Sequence, residues 1–301
     1  MPYRTILALS CVVVVTMLIS REGEAADPAH VKEVEAWRAK HEADYTRQFV
    51  PLAGLFFLNE GENAAGSGAS NPVRLPARAP ASVGRFIYRK GTVRFEPAAG
   101  AGVTLKGKPV TSSLTLVADE SPTPRDELMV GDLTLWVHPS GDRRAIRMRD
   151  PQSALAKSFA GYDWFPIQER FRVTGTFVRD AAPRAIKVPS LTGDPQPYTT
   201  EGVVELTLNG QQLRMRPMTT RPGRLFFVFK DTTAGKETYE AARFLYADLK
   251  ADGTTVMDFN QAYNPPCAFN PFTTCPLPLP ENRLKVSIPA GERKYRGAVP
   301  K

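Results

Sequence analysis

Histidine and cysteine are scarce in this sequence, which has three of each among 301 residues. A structural zinc site takes four such ligands. The spacing of Cys267 and Cys275, C-x7-C, also differs from the C-x-x-C of thiol oxidoreductases. Metal and redox chemistry are therefore disfavoured, although they remain an alternative for this cysteine pair. The sequence predicts no metal site and no cofactor.

The short motifs of common enzyme classes are also missing. There is no G-x-S-x-G elbow, no H-E-x-x-H helix and no phosphate-binding glycine loop followed by lysine. Serine hydrolysis needs a histidine base, and only His138 lies in the body of the chain, at a strand end before Pro139. A solvated or packed side chain is the simpler interpretation of His138. The residues leave one acid–base arrangement open, the carboxylate pair Asp231 and Asp258.

A continuous basic stripe is absent, although the net charge is +8. The arginines cluster locally in two places: Arg143, Arg144, Arg147 and Arg149, and Arg214 with Arg216. Apolar residues alternate with the arginines in both clusters, which is typical of a strand with one solvated face. Without interleaved aromatic residues, nucleic-acid binding is disfavoured. The positive charge favours weak association with an anionic envelope surface.

The N-terminus has the layout of a secretory signal peptide. Arg4 precedes a sixteen-residue apolar run at 5–20, and Gly23 and Ala25 stand where a signal peptidase prefers small residues. We expect cleavage after Ala25 or Ala26 and an exported protein, periplasmic or secreted. Because the run is shorter than the ~20 residues that span a bilayer, a retained anchor is the alternative.

One helix and many short strands are predicted after the signal peptide. An N-cap and first-turn pair, Asp27 and Pro28, begins an amphipathic helix that extends to about Gln48. After Pro51, alternating runs such as GLFFL, GRFIYR, GTVRFEP and GDLTLWVHP recur between turn residues every eight to fifteen positions. This spacing predicts an all-β fold with two β-sandwich or barrel-like domains and the N-terminal helix.

The predicted organisation has four parts. They are the signal peptide at 1–26, the helix at 27–49, a β-sandwich at 50–150 and a second β domain at 151–301. The helical segment SALAKSFAGY and the aromatic residues Trp164 and Phe165 follow the boundary between the two β domains. The second domain ends in a proline-rich loop.

Three segments of the second domain resemble a widespread bacterial and archaeal family known only as a domain of unknown function. These are GYDWFP, FKDTTAGKETYEAARFLYADL and MDFNQAYNPPCAFNPFTTCPLPLPENRLKVSIPAGE. The resemblance extends over nearly all of the chain after the signal peptide. It implies membership of that family and no particular activity.

The stretch GLFFLNEGENAAGSGASNPVRLP resembles the opening of a forkhead-associated domain, a β-sandwich that binds phosphothreonine. In that family an arginine follows the glycine, whereas Ser67 follows Gly66 here. The later serine and histidine of the family correspond to Ser82 and Arg85. The resemblance therefore implies the sandwich shape without the phosphate-binding arginine.

Residues 262–282, AYNPPCAFNPFTTCPLPLPEN, hold six prolines and two cysteines and cannot form a helix or a central strand. In an oxidising compartment, the short separation of Cys267 and Cys275 predicts a disulfide. Such a crosslink stabilises by about 2–3 kcal/mol in the chain-entropy treatment. We therefore expect a rigid, irregular loop of the kind that presents binding groups.

Polar residues surround the start of this loop. Asp258 and Asn260 share a strand face by two-residue periodicity, and Asn264 enters the proline turn. A calcium loop starting at Asp258 would place Tyr263 where glycine is required and Phe269 where glutamate is required, so that template fails. The alternative is that the Asp and Asn side chains bond to the backbone of the loop.

A second polar set lies upstream, in a turn that ordinary turn chemistry also explains. Asp231 begins DTTAG, and Tyr239 and Arg243 follow it. If the strands pair as predicted, this set and the residues before the loop line one cleft for a small polar ligand. The predicted ligand-binding residues are Asp231, Tyr239, Arg243, Asp258, Asn260 and Asn264.

The leading hypothesis is an exported binding or accessory protein for a small polar or envelope ligand of unknown identity. The alternative is a hydrolase that acts on an envelope component and uses Asp258 with a neighbouring acid or a bound cation. A third possibility is that both β domains serve protein contacts only.

The exported protein tests two of these expectations in one mass spectrum. Unreduced protein, alkylated under denaturing conditions, should begin near Ala26 or Asp27 and should gain no alkyl group, because the predicted disulfide leaves no free thiol. Two added alkyl groups would contradict the disulfide and would favour metal or redox chemistry at the cysteines.

Overall fold

The structure is a computed structural model that describes residues 26–119 and 123–300. Within these ranges strands predominate, which confirms the predicted all-β class. The predicted signal peptide lies outside them except for Ala26. No helix of the two ranges is both long and apolar enough to cross a membrane.

The elements are named in chain order. The α-helices are α1 Pro28–Phe49 and α2 Ala154–Ser158. The strands of the first half are β1 Leu52–Phe57, β2 Gly61–Gly66, β3 Val73–Arg74, β4 Gly84–Arg89, β5 Thr92–Pro97, β6 Val103–Leu105, β7 Lys108–Pro109, β8 Leu114–Thr115, β9 Leu128–Val130, β10 Leu133–Ser140 and β11 Arg143–Arg149. Those of the second half are β12 Arg172–Val188, β13 Gln196–Leu208, β14 Gln211–Met215, β15 Met218–Arg221, β16 Arg224–Phe229, β17 Arg243–Asp248 and β18 Thr254–Asp258.

Strands β1–β11 form a sandwich of two sheets. One sheet has the order β1-β11-β10-β9-β6-β7, and the other has the order β3-β2-β4-β5-β8. Alternate residues of both sheets meet in one apolar core, with Phe86 and Phe95 from one side and Leu135 and Ile146 from the other. The period-2 pattern of the sequence thus buries one face of each sheet.

Strands β12–β18 form one sheet that nearly closes into a barrel. Its order is β17-β16-β15-β13-β12-β18, with β14 paired to β13, and the end strands β17 and β18 also lie side by side. The runs FRVTGTFVRD and RAIKVPS, which the sequence suggests as two strands, form the single strand β12. Its register with β13 shifts between Arg179 and Arg184, and this irregularity lets one long strand continue where two were expected.

The C-terminal segment completes the core of this sheet without joining it as a strand. Leu284, Val286, Ile288 and Ala290 are buried together with residues such as Phe227 of β16. The two-residue alternation shows an extended chain with one apolar face. The segment and the sheet therefore form one hydrophobic core.

Helix α1 and the proline-rich loop cover the other face of the sheet. The side chain of Asp27 caps α1 by accepting from the backbone N–H of Ala29, as the sequence predicted. Trp37 and Tyr45 of α1 pack beside Phe226 and Phe244 on this face. The helix thereby lies between the sheet and solvent.

Gly291 lies at a tight turn of the C-terminal segment. Its φ of +78° is left-handed, and a Cβ there would collide with the carbonyl oxygens of Ala262 and Phe259. Gly223 has a similar φ of +73°, but a Cβ there would meet nothing within 4 Å. Comparing Gly291 with Gly223 therefore separates the free-energy cost of the left-handed conformation from the cost of the steric collision.

We expect Gly291→Ala to destabilise the protein by about 3 kcal/mol or more, because left-handed strain and overpacking add at this site. The matched variant Gly223→Ala should cost only about 1 kcal/mol. Urea denaturation followed by circular dichroism measures both values. Equal losses in the two variants would show that the segment does not approach the loop this closely.

Candidate functional site

Asp231 and Arg243 form an enclosed ion pair beneath the C-terminal segment. Their side chains are 0% and 1% exposed and lie 3.1 Å apart. Arg243 also donates to the backbone oxygens of Ile288 and Ala290, and Asp231 accepts from the backbone N–H of Ile288 at 2.6 Å. The pair therefore fixes the C-terminal segment and is closed to a ligand.

Asp258 and Asn260 bond to each other and to neighbouring chain segments. Asn260 donates to one Asp258 oxygen through its backbone and its amide, at 3.0 and 2.8 Å. The same amide pairs with both backbone groups of Gln168. The other Asp258 oxygen lies 2.7 Å from Nε2 of His30, whose Nδ1 lies 2.7 Å from Glu169.

His30 thus bridges two carboxylates while buried in α1. Burial alone would lower the pKa of His30, but the hydrogen bonds to Asp258 and Glu169 outweigh it and the net pKa is raised. The contact ties the helix to the end of β18. Asp258 also lines a groove, so this cluster borders open space.

Asn264 holds the start of the proline-rich loop against Glu292. Its backbone N–H donates to the Glu292 carboxylate at 2.8 Å, and its amide donates to the backbone oxygen of Arg293 at 2.7 Å. Burial raises the pKa of Glu292 to about 8, and Glu42 acts in the same direction, while the hydrogen bonds from Asn264 and the charge of Arg243 oppose it. Glu292 is therefore a buried acid that titrates near neutral pH.

The cysteines carry free thiols in the structure. The disulfide is therefore not formed there and stays a prediction. Burial raises the pKa of the Cys267 thiol. The hydroxyl of Tyr239 donates to the backbone oxygen of Cys267 at 3.4 Å, so Tyr239 braces the loop.

Four of the six predicted ligand-binding residues thus form two hydrogen-bonded pairs. The other two, Tyr239 and Asn264, support the proline-rich loop. Asp231 bonds to Arg243, and Asp258 bonds to Asn260, but no hydrogen bond or ion pair within 26–119 and 123–300 connects the two groups. Of the six, Asp258 lines the groove. The other residues that line this groove were not among the predicted ligand-binding residues.

The groove has a volume of about 660 Å³ and runs between α1 and the edge formed by β17 and β18. Its walls combine aromatic rings with charged groups of both signs: Trp37, Tyr246 and Tyr263, Arg172, Arg224 and Lys250, and Glu33, Asp248 and Asp258. His41 also lines it and stacks on Trp37, with ring centroids 4.9 Å apart. Such a combination suits a small ligand with ring faces and polar edges.

A second cavity, of about 290 Å³, lies where the sandwich, α1 and the proline-rich loop meet. At its edge Thr274 lies 3.1 Å from Nε2 of His138, and Nδ1 of His138 lies 2.9 Å from Asp119. Arg147 lines the cavity and is only 9% exposed. The interpretation of the Arg147 cluster as a solvated strand face is therefore wrong at this residue, because the second half of the chain covers that face.

Sequence reasoning missed most residues of the groove and the second cavity. The aromatic spacing of α1 marked Trp37 and His41 as helix residues, and Arg147 was visible only as part of a charged cluster. The one available signal was an arginine at an alternating strand position next to apolar residues. That signal does not tell which face another domain covers.

Glu292 predicts a specific pH dependence of stability. Its pKa of about 8 in the folded protein exceeds the value of about 4.3 in an unfolded chain. The folded state therefore holds more protons than the unfolded state between these pH values. The free energy of unfolding should fall by up to about 1.4 kcal/mol per pH unit as pH rises through this window, and it should level off above it.

Glu292→Gln, which mimics the protonated acid, should lose most of this fall and be at least as stable as the wild type at pH 8.5. Urea titrations from pH 5 to 9 measure the slope, with the surface variant Glu205→Gln as control. A Glu292→Gln slope equal to that of the wild type would contradict the assignment.

Comparison with known proteins links part of the chain to an uncharacterised family. An uncharacterized protein from gene locus rrnAC0354 of Haloarcula marismortui, solved by solution NMR, is similar at 27% identity over 48% of this chain and 82% of that one, with a TM-score of 0.40. No curated protein matches the chain. Residues 157–293 match the model of a family described as "Protein of unknown function (DUF1684)", which supports the predicted kind of family for the second half of the chain.

Proposed function

We propose that this protein is an exported binding protein that takes a small acidic saccharide in the groove beside α1. The observation that carries the proposal is the combination of aromatic faces and incompletely paired cations in one open groove. An envelope glycan fits the export that the N-terminal sequence predicts. The proposed ligand narrows the small polar or envelope ligand expected from the sequence.

The aromatic residues of the groove offer faces for a ring. Trp37 is half-buried, with Tyr263 at 6.0 Å between ring centroids, and Tyr246 stacks on Phe226 at 4.6 Å. Rings held in place by other rings are preorganised, so stacking a ligand on them costs little side-chain entropy. The apolar face of a sugar ring packs on such a surface while its hydroxyls point to the polar walls.

The charges of the groove favour a ligand with an acidic group. Arg224 is paired with Asp248 at 2.7 Å. Arg172 reaches Glu33 and Glu169 only at 4.0 Å, and Lys250 forms no ion pair with any residue that the structure describes. Two cations are thus available to bind a carboxylate, and charge-assisted hydrogen bonds are stronger than those between neutral groups.

A hydrolase is the second candidate, and one observation favours it. His30 connects Asp258 with Glu169, so an acid at the groove wall shares a hydrogen-bonded chain with a second acid. Carboxylates whose environments differ can divide acid and base roles. Loss of glycan turnover in Asp258→Asn, with saccharide binding retained, would favour this candidate over simple binding.

We extend the resemblance to forkhead-associated domains to the fold of the sandwich and not to phosphothreonine binding. Ser82 and Arg85 line a separate surface depression on the sandwich. Arg85 is ion-paired with Glu96 at 2.6 Å and with Glu62 at 3.5 Å. Because these acids neutralise the arginine, we do not assign phosphate binding to this surface.

Glucuronate is the probe that tests the groove. We expect it to change the fluorescence of the wild type saturably and to leave Trp37→Phe unchanged, because only Trp37 of the three tryptophans lines the groove. Removing both cations in Arg172→Ala/Lys250→Ala should weaken binding about tenfold or more, since a charge-assisted hydrogen bond contributes about 1.5–3 kcal/mol.

Glucose, which lacks the carboxylate, should bind more weakly than glucuronate, and Arg85→Ala on the sandwich should bind glucuronate like the wild type. The binding proposal fails if no uronate or glucuronate oligomer gives a saturable signal. It also fails if the double variant binds as tightly as the wild type.

A further inference from the structure

Arg147 points away from the core of its own domain. It lies on β11, where its neighbours Ile146 and Met148 flank it in sequence and belong to the buried core of the sandwich. Ile146 is fully buried there, at 0% exposure. Side chains alternate along a strand, so Arg147 projects from the opposite face of the sheet, toward α1 and the proline-rich loop. The cavity of about 290 Å³ lies on that side.

The guanidinium of Arg147 has no partner in the parts of the chain that the structure describes. It forms no hydrogen bond and no ion pair there, and its Nε is both inaccessible to solvent and unbonded. Burial lowers the pKa of Arg147 to about 10, which still leaves the group charged at neutral pH. An unpaired charge in this position is strongly unfavourable unless something binds to it.

Asp119 does not supply that partner. Asp119 attracts Arg147 electrostatically, but it does not reach ion-pair distance. The Asp119 carboxylate already accepts from Nε1 of Trp136 at 3.0 Å and from Nδ1 of His138 at 2.9 Å. The N–H donors of the Arg147 guanidinium are therefore available to a ligand in the cavity, which Arg147 lines.

The rest of the cavity is largely aromatic. Tyr45 and Phe49 come from α1, Phe226 and Phe244 from the second sheet, and Tyr263 from the segment before the proline-rich loop. The volume is at the small end of the range for ligand sites. Such a space fits a compact apolar body with one anionic group at the Arg147 side.

We propose that this cavity binds a small organic carboxylate, with the carboxylate on Arg147 and an aromatic or branched aliphatic body against the surrounding rings. Arginine suits this role because its planar fork donates two parallel hydrogen bonds to a carboxylate. The aromatic walls lower the local dielectric around the pair, which strengthens it. The site is independent of the saccharide groove, although Tyr246 and Tyr263 line both.

Thr274 adds a hydroxyl group to the otherwise largely aromatic wall of the cavity. Nδ1 of His138 lies 2.9 Å from Asp119, and Nε2 of His138 lies 3.1 Å from the Thr274 hydroxyl. The Thr274 hydroxyl is thereby held at the cavity edge. A ligand with a hydroxyl or amide donor beyond its carboxylate would gain a hydrogen bond there.

Phenylacetate and its neutral counterpart phenylacetamide test the site by calorimetry and thermal unfolding. We expect phenylacetate to bind the wild type saturably and to raise Tm, whereas phenylacetamide should bind at least tenfold more weakly. Arg147→Met should abolish the phenylacetate effect. The unliganded variant should unfold at the same or a higher Tm, because it removes an unpaired buried charge.

Arg149→Met is the matched control, since Arg149 also has a buried, unbonded Nε on the same strand but does not line the cavity. It should bind phenylacetate like the wild type. If Arg147→Met does not fold, Arg147→Lys keeps the charge without the fork and should weaken binding about tenfold.

Three results would overturn the proposal. The first is equal binding of acid and amide. The second is unchanged phenylacetate binding in the Arg147 variants, and the third is loss of binding in Arg149→Met. Because Arg172 and Lys250 do not line this cavity, the Arg172→Ala/Lys250→Ala variant should bind phenylacetate normally even if the saccharide proposal fails.

Discussion

The ion pair between Asp231 and Arg243 holds the C-terminal segment on the second sheet. The guanidinium of Arg243 donates to the backbone oxygens of Ile288 and Ala290, and Asp231 balances its charge. The segment consequently lies with its apolar side chains in the core of the nearly closed sheet. The pair acts together with backbone hydrogen bonds, such as the one from Leu284 to Lys230, to fix the position of the segment.

The proline-rich loop depends on that segment. Glu292, at the end of the segment, accepts from the backbone of Asn264 at the start of the loop, and Gly291 passes close to Ala262. Asn270 continues the chain of contacts by donating to the backbone oxygens of Phe49 and Leu52, where α1 meets the sandwich. One loop thus joins the helix, the sandwich and the second sheet.

Both open sites lie where these parts meet. The groove follows the junction of α1 with the second sheet, and the smaller cavity lies where the loop closes against β11. Tyr263, directly before the prolines, contributes to both walls and contacts His41 at 4.4 Å between ring centroids. A rigid loop placed by buried hydrogen bonds is well suited to keep such walls in place before a ligand arrives.

Local sequence patterns are sufficient to predict the all-β class, helix α1 with its Asp27 cap, most strand positions and the irregular loop, because periodicity, capping and proline act over a few residues. The sequence also singles out four polar residues near the loop: Asp231, Arg243, Asp258 and Asn264. Which of them are enclosed and which face open space was decided by the tertiary structure alone. The contact of His138 with Thr274 joins positions 136 residues apart. Arg147, which has no partner within 26–119 and 123–300, is buried because a distant segment covers its strand. Burial is a property of the assembled layers, so a pattern local to one strand cannot reveal it.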